Sequence, residues 1–110
     1  RAAVARGIEY AARAGEFVGA SPTLELLAPP SLGVVCFRAN PGGMDEAALE
    51  ALNDAVQSRI VRSGAAMMSS TRLRGTFALR FCILTHRTTW SDVEETLRAV
   101  EEHAVELARR

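Results

Sequence analysis

Residues 72–83 read RLRGTFALRFCI, and they contain the clearest structural signal of the chain. Two runs rich in strand-forming residues, 66–73 and 76–84, are separated only by Arg74-Gly75, a spacing typical of a tight β-hairpin. We therefore predict two strands that pair antiparallel. Because successive side chains of a strand point to opposite faces, the second run also predicts which side of the sheet is buried.

The two faces of this second strand differ in chemistry. One face carries large apolar side chains and is expected to pack on helices: Phe77, Leu79, Phe81 and Ile83. The other face carries small or weakly polar side chains around one arginine: Ala78, Arg80 and Cys82. A strand that meets water usually presents Lys, Glu, Thr or Ser, so we expect another piece of protein to cover this second face.

The segment before the hairpin predicts two helices and two strands. Helical spacing of apolar residues runs over residues 2–18, and strand-like runs follow at 23–28 and 34–38. After a turn rich in Gly and Pro, Asp45 is a plausible N-cap for a second helix, which ends near Gly64. The first helical pattern has already begun at the first residue, as expected for a chain cut within or just before a helix.

A third helix is predicted after the hairpin, beginning near Thr89. The Thr89 hydroxyl and the Asp92 carboxylate have the spacing of a capping box. The resulting order α-β-β-α-β-β-α predicts an α+β fold with a small antiparallel or mixed sheet and helices mainly on one face. With 110 residues and no linker, we expect residues 1–110 to form a single domain.

The composition argues against several classes of function. Thirteen acidic residues balance thirteen basic ones, so no net field attracts nucleic acid or an anionic membrane surface. No apolar run approaches the ~20 residues that span a bilayer, and no segment resembles a signal peptide. Cys36 and Cys82 lack the spacing of zinc ligands; we interpret them as small reduced residues, which favours the cytoplasm.

All thirteen basic residues are arginine, and the sequence contains no lysine. A Schiff base with a carbonyl substrate or with pyridoxal phosphate requires a lysine amine. This chain cannot supply one.

Arg80 is the candidate binding residue. A buried guanidinium needs an anionic partner or several carbonyls, because burying an unpaired charge destabilises the protein by several kcal/mol. The pattern leaves two alternatives open: a structural ion pair within the fold, or a planar fork held toward an anionic ligand. Arg38, next to a turn, is predicted to be at the surface, and His86 and His103 are predicted to face solvent without a catalytic partner.

Three stretches in order resemble the C-terminal domain of the group II pyridoxal-phosphate decarboxylases, which include the aromatic-amino-acid, histidine and glutamate decarboxylases. They are SLGVVCFR at 31–38, Leu52-Asn53 on the second helix, and residues 72–83. THRTT at 85–89, leading into an acidic helix, is also similar. The likeness covers nearly the whole chain, and it is strongest for the aromatic and histidine branch.

This resemblance implies a fold-type I enzyme that is an obligate dimer with active sites at the subunit interface. A missing large domain would bind pyridoxal phosphate and carry the Schiff-base lysine, so this chain alone is expected to be inactive. In enzymes of this fold, the small domain offers an arginine from a sheet strand to the acid group of the amino-acid substrate. Arg80 occupies the matching strand position.

Two rival hypotheses give the chain a function other than that of a decarboxylase domain. The chain could be a free-standing α+β binding module, of the ferredoxin-like or amino-acid-sensing kind, that uses Arg80 for a ligand carboxylate. It could also be a structural dimerisation module, in which case Arg80 would affect neither ligand affinity nor activity. The length of the encoding gene separates the first rival from the decarboxylase, because only the enzyme requires a large upstream domain.

Overall fold

The computed structural model describes residues 2–30, 33–63, 68–83 and 89–109, with side chains from Ile8 onward. Within these ranges the predicted α-β-β-α-β-β-α order is confirmed. The elements are α1 Ala2–Ala20, β1 Leu24–Leu26, β2 Val34–Ala39, α2 Glu46–Arg62, β3 Met68–Leu73, β4 Thr76–Cys82 and α3 Trp90–Ala108.

The strands form one sheet in the order β1-β2-β4-β3, and every neighbouring pair is antiparallel. Of the two sheet types that the sequence left open, the antiparallel one is therefore correct. The predicted hairpin joins β3 to β4, and its two turn residues, Arg74 and Gly75, have φ of 52° and 86°. A two-residue turn with positive φ at both positions has a backbone twist that matches the twist of the flanking strands. Since β4 is an inner strand, its backbone is hydrogen-bonded on both sides.

The helices pack on one face of this sheet. Apolar side chains of β2 and β4 meet the buried stripes of the three helices in a single cluster. From the sheet side the cluster contains Val35, Phe37, Leu79, Phe81 and Ile83, and from the helices it contains Val18, Leu52, Val56, Ile60, Val93, Leu97 and Val100. The predicted helix-facing side of β4 is thus confirmed for Leu79, Phe81 and Ile83.

The predicted helix starts are confirmed in detail. The Asp45 side chain accepts a hydrogen bond from the Ala48 N–H at 2.8 Å, as an N-cap does. At α3, Thr89 and Asp92 form the reciprocal capping box, with distances of 3.1 and 3.2 Å. In the part of the chain that the structure describes, none of the helices has both the length and the apolar character needed to cross a membrane.

Several element ends differ from prediction: β2 continues to Ala39 instead of ending at residue 38, and β4 ends at Cys82 instead of residue 84. Helix α1 continues to Ala20, two residues beyond the predicted end, and β1 keeps only Leu24–Leu26 of the predicted 23–28. Strand β1 is short because Pro29 and Pro30 follow closely and cannot donate to a ladder. The predictions for Gly64, for residues 66–67 and for residues 84–88 lie outside the described residues.

Asn53 is a polar residue inside the core, with none of its surface exposed. Its Oδ1 accepts from the Ala39 N–H at 2.7 Å, and its Nδ2 donates to the carbonyls of Ala39 and Leu49 at 3.0 and 2.8 Å. The amide therefore satisfies both backbone groups of Ala39 at the end of β2. This arrangement ties α2 to the sheet.

Gly15 of α1 makes a close approach to Pro30. A Cβ at Gly15 would lie 2.5 Å from the Pro30 Cγ, and the proline ring cannot move aside as a flexible side chain would. Alanine favours a helix over glycine by ~1 kcal/mol, but the clash is the larger effect. We expect Gly15→Ala to lower the free energy of unfolding of the chain by ~1–3 kcal/mol, measured by urea denaturation.

Gly19→Ala is the matched control in the same helix, because a Cβ there meets nothing within 4 Å. It should raise the free energy of unfolding by ~0.5–1 kcal/mol. Equal stabilisation by both substitutions would show that the Gly15–Pro30 contact does not exist in solution.

Candidate functional site

The sheet face that turns away from the helices carries the candidate site. We call it the open face and define it by the side chains of the inner and edge strands that alternate away from the core: Val34, Cys36, Ser69, Thr71, Ala78, Arg80 and Cys82. The register places Arg80 opposite Cys36 of β2 and Ser69 of β3. The two predicted faces of β4 are therefore confirmed. Arg80 is exposed in the described part of the chain, so the cover that we expect over it stays a prediction.

Arg80 is exposed and has no acidic partner among the described residues. Its Nη1 donates to the Sγ of Cys82, two residues along the strand, at 3.1 Å. None of the ion pairs in the described ranges includes Arg80. The ion-pair alternative is therefore not realised within this part of the chain. A guanidinium has five N–H donors, so most of them are left for water or an anionic ligand.

The prediction that Arg38 lies at the surface is wrong, because only 9% of its surface is exposed. Its Nε donates to Glu25 at 2.8 Å and its Nη1 to Glu46 at 2.9 Å. Antiparallel pairing of β1 with β2 places Glu25 directly opposite Arg38, and the first turn of α2 brings Glu46 to the same point. Arg38 is thus a paired structural residue, and its charge is neutralised within the fold.

This network also shifts the pKa values of its members. The hydrogen bond from Asn40 Nδ2, at 2.8 Å, and then the one from Arg38 lower the pKa of the Glu25 carboxyl, against the opposing effect of burial. Hydrogen bonding to Glu46 raises the pKa of Arg38, again against burial. Both groups stay ionised around neutral pH, so the Arg38 guanidinium remains occupied.

Cys36 and Cys82 are free and half-buried. Burial raises the pKa of the Cys36 thiol, while the nearby Arg80 charge acts in the opposite direction. A thiol whose pKa lies above its ordinary value is neutral near pH 7 and a weak nucleophile. Cys36 is therefore a small neutral neighbour of Arg80.

The histidines offer no catalytic arrangement within the described ranges. His103 is half-buried, and its Nδ1 lies 3.4 Å from the Nη1 of Arg59, so the prediction of a solitary solvent-facing ring was wrong. α2 and α3 pack side by side, which brings these two residues together. His86 lies outside the described residues. Among those that are described, no three His, Cys, Asp or Glu side chains cluster as metal ligands would.

Two of the surface depressions among the described residues do not include Arg80. One, of about 430 Å³, runs between Pro22 and the end of α3, where Glu101 and Arg109 border it. Another, of about 480 Å³, lies on α2 beside Phe77. Neither includes a residue of the open face. The arginine thus stands on an exposed strand surface, and a binding pocket around it requires a second surface.

Several curated proteins match this chain, and two of them show what it is similar to. An aromatic-L-amino-acid decarboxylase from Bacillus atrophaeus is 28% identical over 109 residues, which are 98% of this chain and 23% of that protein. A tryptophan decarboxylase from Camptotheca acuminata is 33% identical over 89 residues, 80% of this chain and 18% of that protein. This chain is homologous to the C-terminal region of the group II pyridoxal-phosphate decarboxylases. It spans about a fifth of the length of these relatives.

A solved structure supports this membership in the decarboxylase family. The glutamate decarboxylase domain of a diaminobutyrate-pyruvate transaminase and L-2,4-diaminobutyrate decarboxylase from Vibrio parahaemolyticus superimposes with a TM-score of 0.82 at 31% identity. The match covers 96% of this chain and 22% of that one. No protein-family model matches the chain. The α+β fold is the one found in fold-type I decarboxylases, and the homologues are carboxy-lyases.

The group II decarboxylases use pyridoxal phosphate. This chain has no residue that could attach that cofactor as a Schiff base. The cofactor is held as a Schiff base by lysine, which this sequence lacks. We therefore assign no cofactor-binding residue here. What the structure adds to the sequence analysis is the Arg38 network, the role of Asn53, and the contact between Arg80 and Cys82. The first two do not follow from spacing along the chain, whereas alternation already places Arg80 and Cys82 on the same face.

Proposed function

We propose that this chain is the small-domain portion of a pyridoxal-phosphate-dependent L-amino-acid decarboxylase. In this proposal its open face closes over the active site, and Arg80 binds the acid group of the substrate. The observation that supports it is the contrast between two arginines on neighbouring strands: Arg38 of β2 is paired with two carboxylates, while Arg80 of β4 is exposed with only a thiol contact. The homology supplies the reaction class.

Arg80 would orient the substrate more than it would drive the reaction. A charge-assisted hydrogen bond contributes ~1.5–3 kcal/mol to binding. Decarboxylation removes the carboxylate, however, so an arginine that held it too tightly would stabilise the ground state. The cofactor, bound by the rest of the enzyme, supplies the electron sink. The contribution of this chain is a fixed donor and a surface that excludes water.

We propose an aromatic L-amino acid as the substrate, because the two curated relatives carry aromatic or tryptophan decarboxylase names. The Vibrio structure is named for a diaminobutyrate enzyme, so L-2,4-diaminobutyrate is the appropriate comparison substrate. Side-chain selectivity would be set largely by the large domain and the neighbouring subunit. A panel of L-tryptophan, L-tyrosine, L-histidine and L-2,4-diaminobutyrate tests this choice.

The proposed partners are the large domain of the same enzyme, over the open face, and a second copy in a homodimer. The half-buried small side chains beside Arg80 support the first, because such a surface suits contact with protein better than contact with water. The family likeness supports the dimer. We propose a cytoplasmic location, where the free Cys36 and Cys82 would stay reduced.

Arg80→Ala in the full-length gene product tests the proposed site. We expect kcat/KM for the preferred amino acid to fall at least ~10-fold, since a charge-assisted bond to the substrate is lost. The absorbance of the bound cofactor should be largely unchanged, because Arg80 is assigned to substrate. Both are measured on purified enzyme by steady-state decarboxylation and visible spectroscopy.

Arg98→Ala is the control, because Arg98 is also an exposed arginine, on the surface of α3, where it forms an ion pair with Glu94 and lies over the Phe17 ring. It should change kcat/KM by less than ~2-fold. Unchanged kinetics of Arg80→Ala across the whole panel would remove Arg80 from the active site. An encoding gene without a large upstream domain would instead favour the free-standing binding module.

A further inference from the structure

The direction of the Arg80 side chain is set by its neighbours on the open face. Along β4 its same-face neighbours are Ala78 on one side and Cys82 on the other. Ala78 is fully buried and has no polar side-chain atom, whereas Cys82 presents a sulfur at 3.1 Å from the Arg80 Nη1. The guanidinium is therefore held toward the end of β4.

A thiol is suited to this task because it accepts a hydrogen bond weakly and carries no charge while protonated. The paired Arg38 shows the opposite case, since Glu25 and Glu46 occupy its donors and cancel its charge. A carboxylate in place of the Cys82 thiol would likewise occupy the donors of Arg80 and cancel its charge. The sulfur fixes a direction and leaves the positive charge available for an incoming anion.

This end of the sheet is well ordered by its backbone. Cys82 lies opposite Val34 at the start of β2, and the Ile83 N–H donates to the Gly33 carbonyl at 2.6 Å. Cys82 is half-buried, so part of its side chain is in contact with neighbouring residues. A side chain that rests on such a residue is held in place before the ligand arrives, which lowers the cost of binding.

We propose that Cys82 is a positioning residue that orients Arg80 toward the substrate acid group at the β4 end of the open face. This inference rests on the proposed function of Arg80. It adds that the acid group sits beside Cys82 and Val34, and not beside Ala78 and the paired Arg38. Cys82 acts through Arg80 and need not touch the substrate.

The test uses the full-length enzyme with L-tryptophan, or with the best substrate of the panel. Cys82→Ala should raise KM about 3–10-fold with kcat within about 2-fold, because an Arg80 side chain that is no longer oriented loses part of its bond to the substrate. Cys82→Ser keeps an acceptor and should recover most of the affinity. Arg98→Ala, on the surface of α3 and not on the open face, is the control and should leave KM unchanged.

The double variant Arg80→Ala/Cys82→Ala decides whether Cys82 acts through Arg80. If it does, the double variant should be no worse than Arg80→Ala alone. Additive losses, or a Cys82→Ala enzyme with normal KM, would overturn the positioning role while leaving the Arg80 assignment intact. An Arg80→Ala enzyme with normal kinetics would instead refute the proposed function itself. Should Cys82→Ala not fold, Cys82→Val, which removes the acceptor and keeps a side chain of similar size, gives the same comparison in the Arg80 and Arg80→Ala backgrounds.

Discussion

Asn53→Ala is expected to lower the free energy of unfolding of the 110-residue chain by about 2–4 kcal/mol. The substitution removes three hydrogen bonds in the core and leaves the N–H and the carbonyl of Ala39 without their partners. An unsatisfied buried polar group costs more than a hydrogen bond gains, which is why the expected loss is large. Urea denaturation followed by circular dichroism measures it.

Asp54→Ala is the control for this prediction, since Asp54 is the next residue of α2 and is exposed. It should change the free energy of unfolding by no more than about 0.5 kcal/mol. Asn53→Asp provides a second comparison, because it keeps an acceptor for the Ala39 N–H but turns a negative charge toward two carbonyls. It should be worse than alanine at pH 7. A loss below about 1 kcal/mol for Asn53→Ala would mean that water replaces the amide.

Phe81→Ala should cost about 3–5 kcal/mol, the usual effect of removing a fully buried aromatic ring. Phe81 has no exposed surface and lies in the core between the sheet and the helices. A loss of this size approaches the whole stability of a small domain, so the variant should be unfolded or nearly so at 37 °C. Thermal unfolding of the two proteins in parallel tests it.

Phe77→Ala is the informative comparison, because period-two alternation assigns Phe77 and Phe81 to the same face. Phe77 is only half-buried and lies next to the depression on α2. The Cζ of Arg72 is 5.8 Å from the centroid of the Phe77 ring. Its removal should cost less than half as much as that of Phe81. Equal losses would show that the helices cover the hairpin end of β4 as completely as they cover its centre.

These stability effects bear on the site because Arg80 lies between two core residues on one strand. Leu79 and Phe81 are both fully buried, and β4 is paired on both sides. The backbone of Arg80 is therefore fixed by the core, and only its side chain remains to be oriented. A rigid strand is a better support for a binding residue than a loop, which agrees with the role proposed for Arg80.

Local patterns predicted much of the fold. The two-residue turn at Arg74-Gly75, the N-cap at Asp45 and the capping box at Thr89 each depend on residues a few positions apart, and all three are confirmed. The position of Arg80 on the face opposite the core follows from alternation alone. The ends of α1 and β1 were less well predicted, because helix ends fray and short edge strands carry few residues of signal.

The sequence by itself determined the order of the elements, the two faces of β4 and the absence of a Schiff-base lysine, since these depend on neighbouring residues or on composition. Only the tertiary structure decided which arginine is paired. Arg38 meets Glu25 across 13 positions, and Ala39 meets Asn53 across 14, through strand pairing and helix packing that no local pattern encodes. The free donors of Arg80 follow from the same cause: the fold brings two carboxylates to Arg38, and in the described residues it brings only a thiol to Arg80.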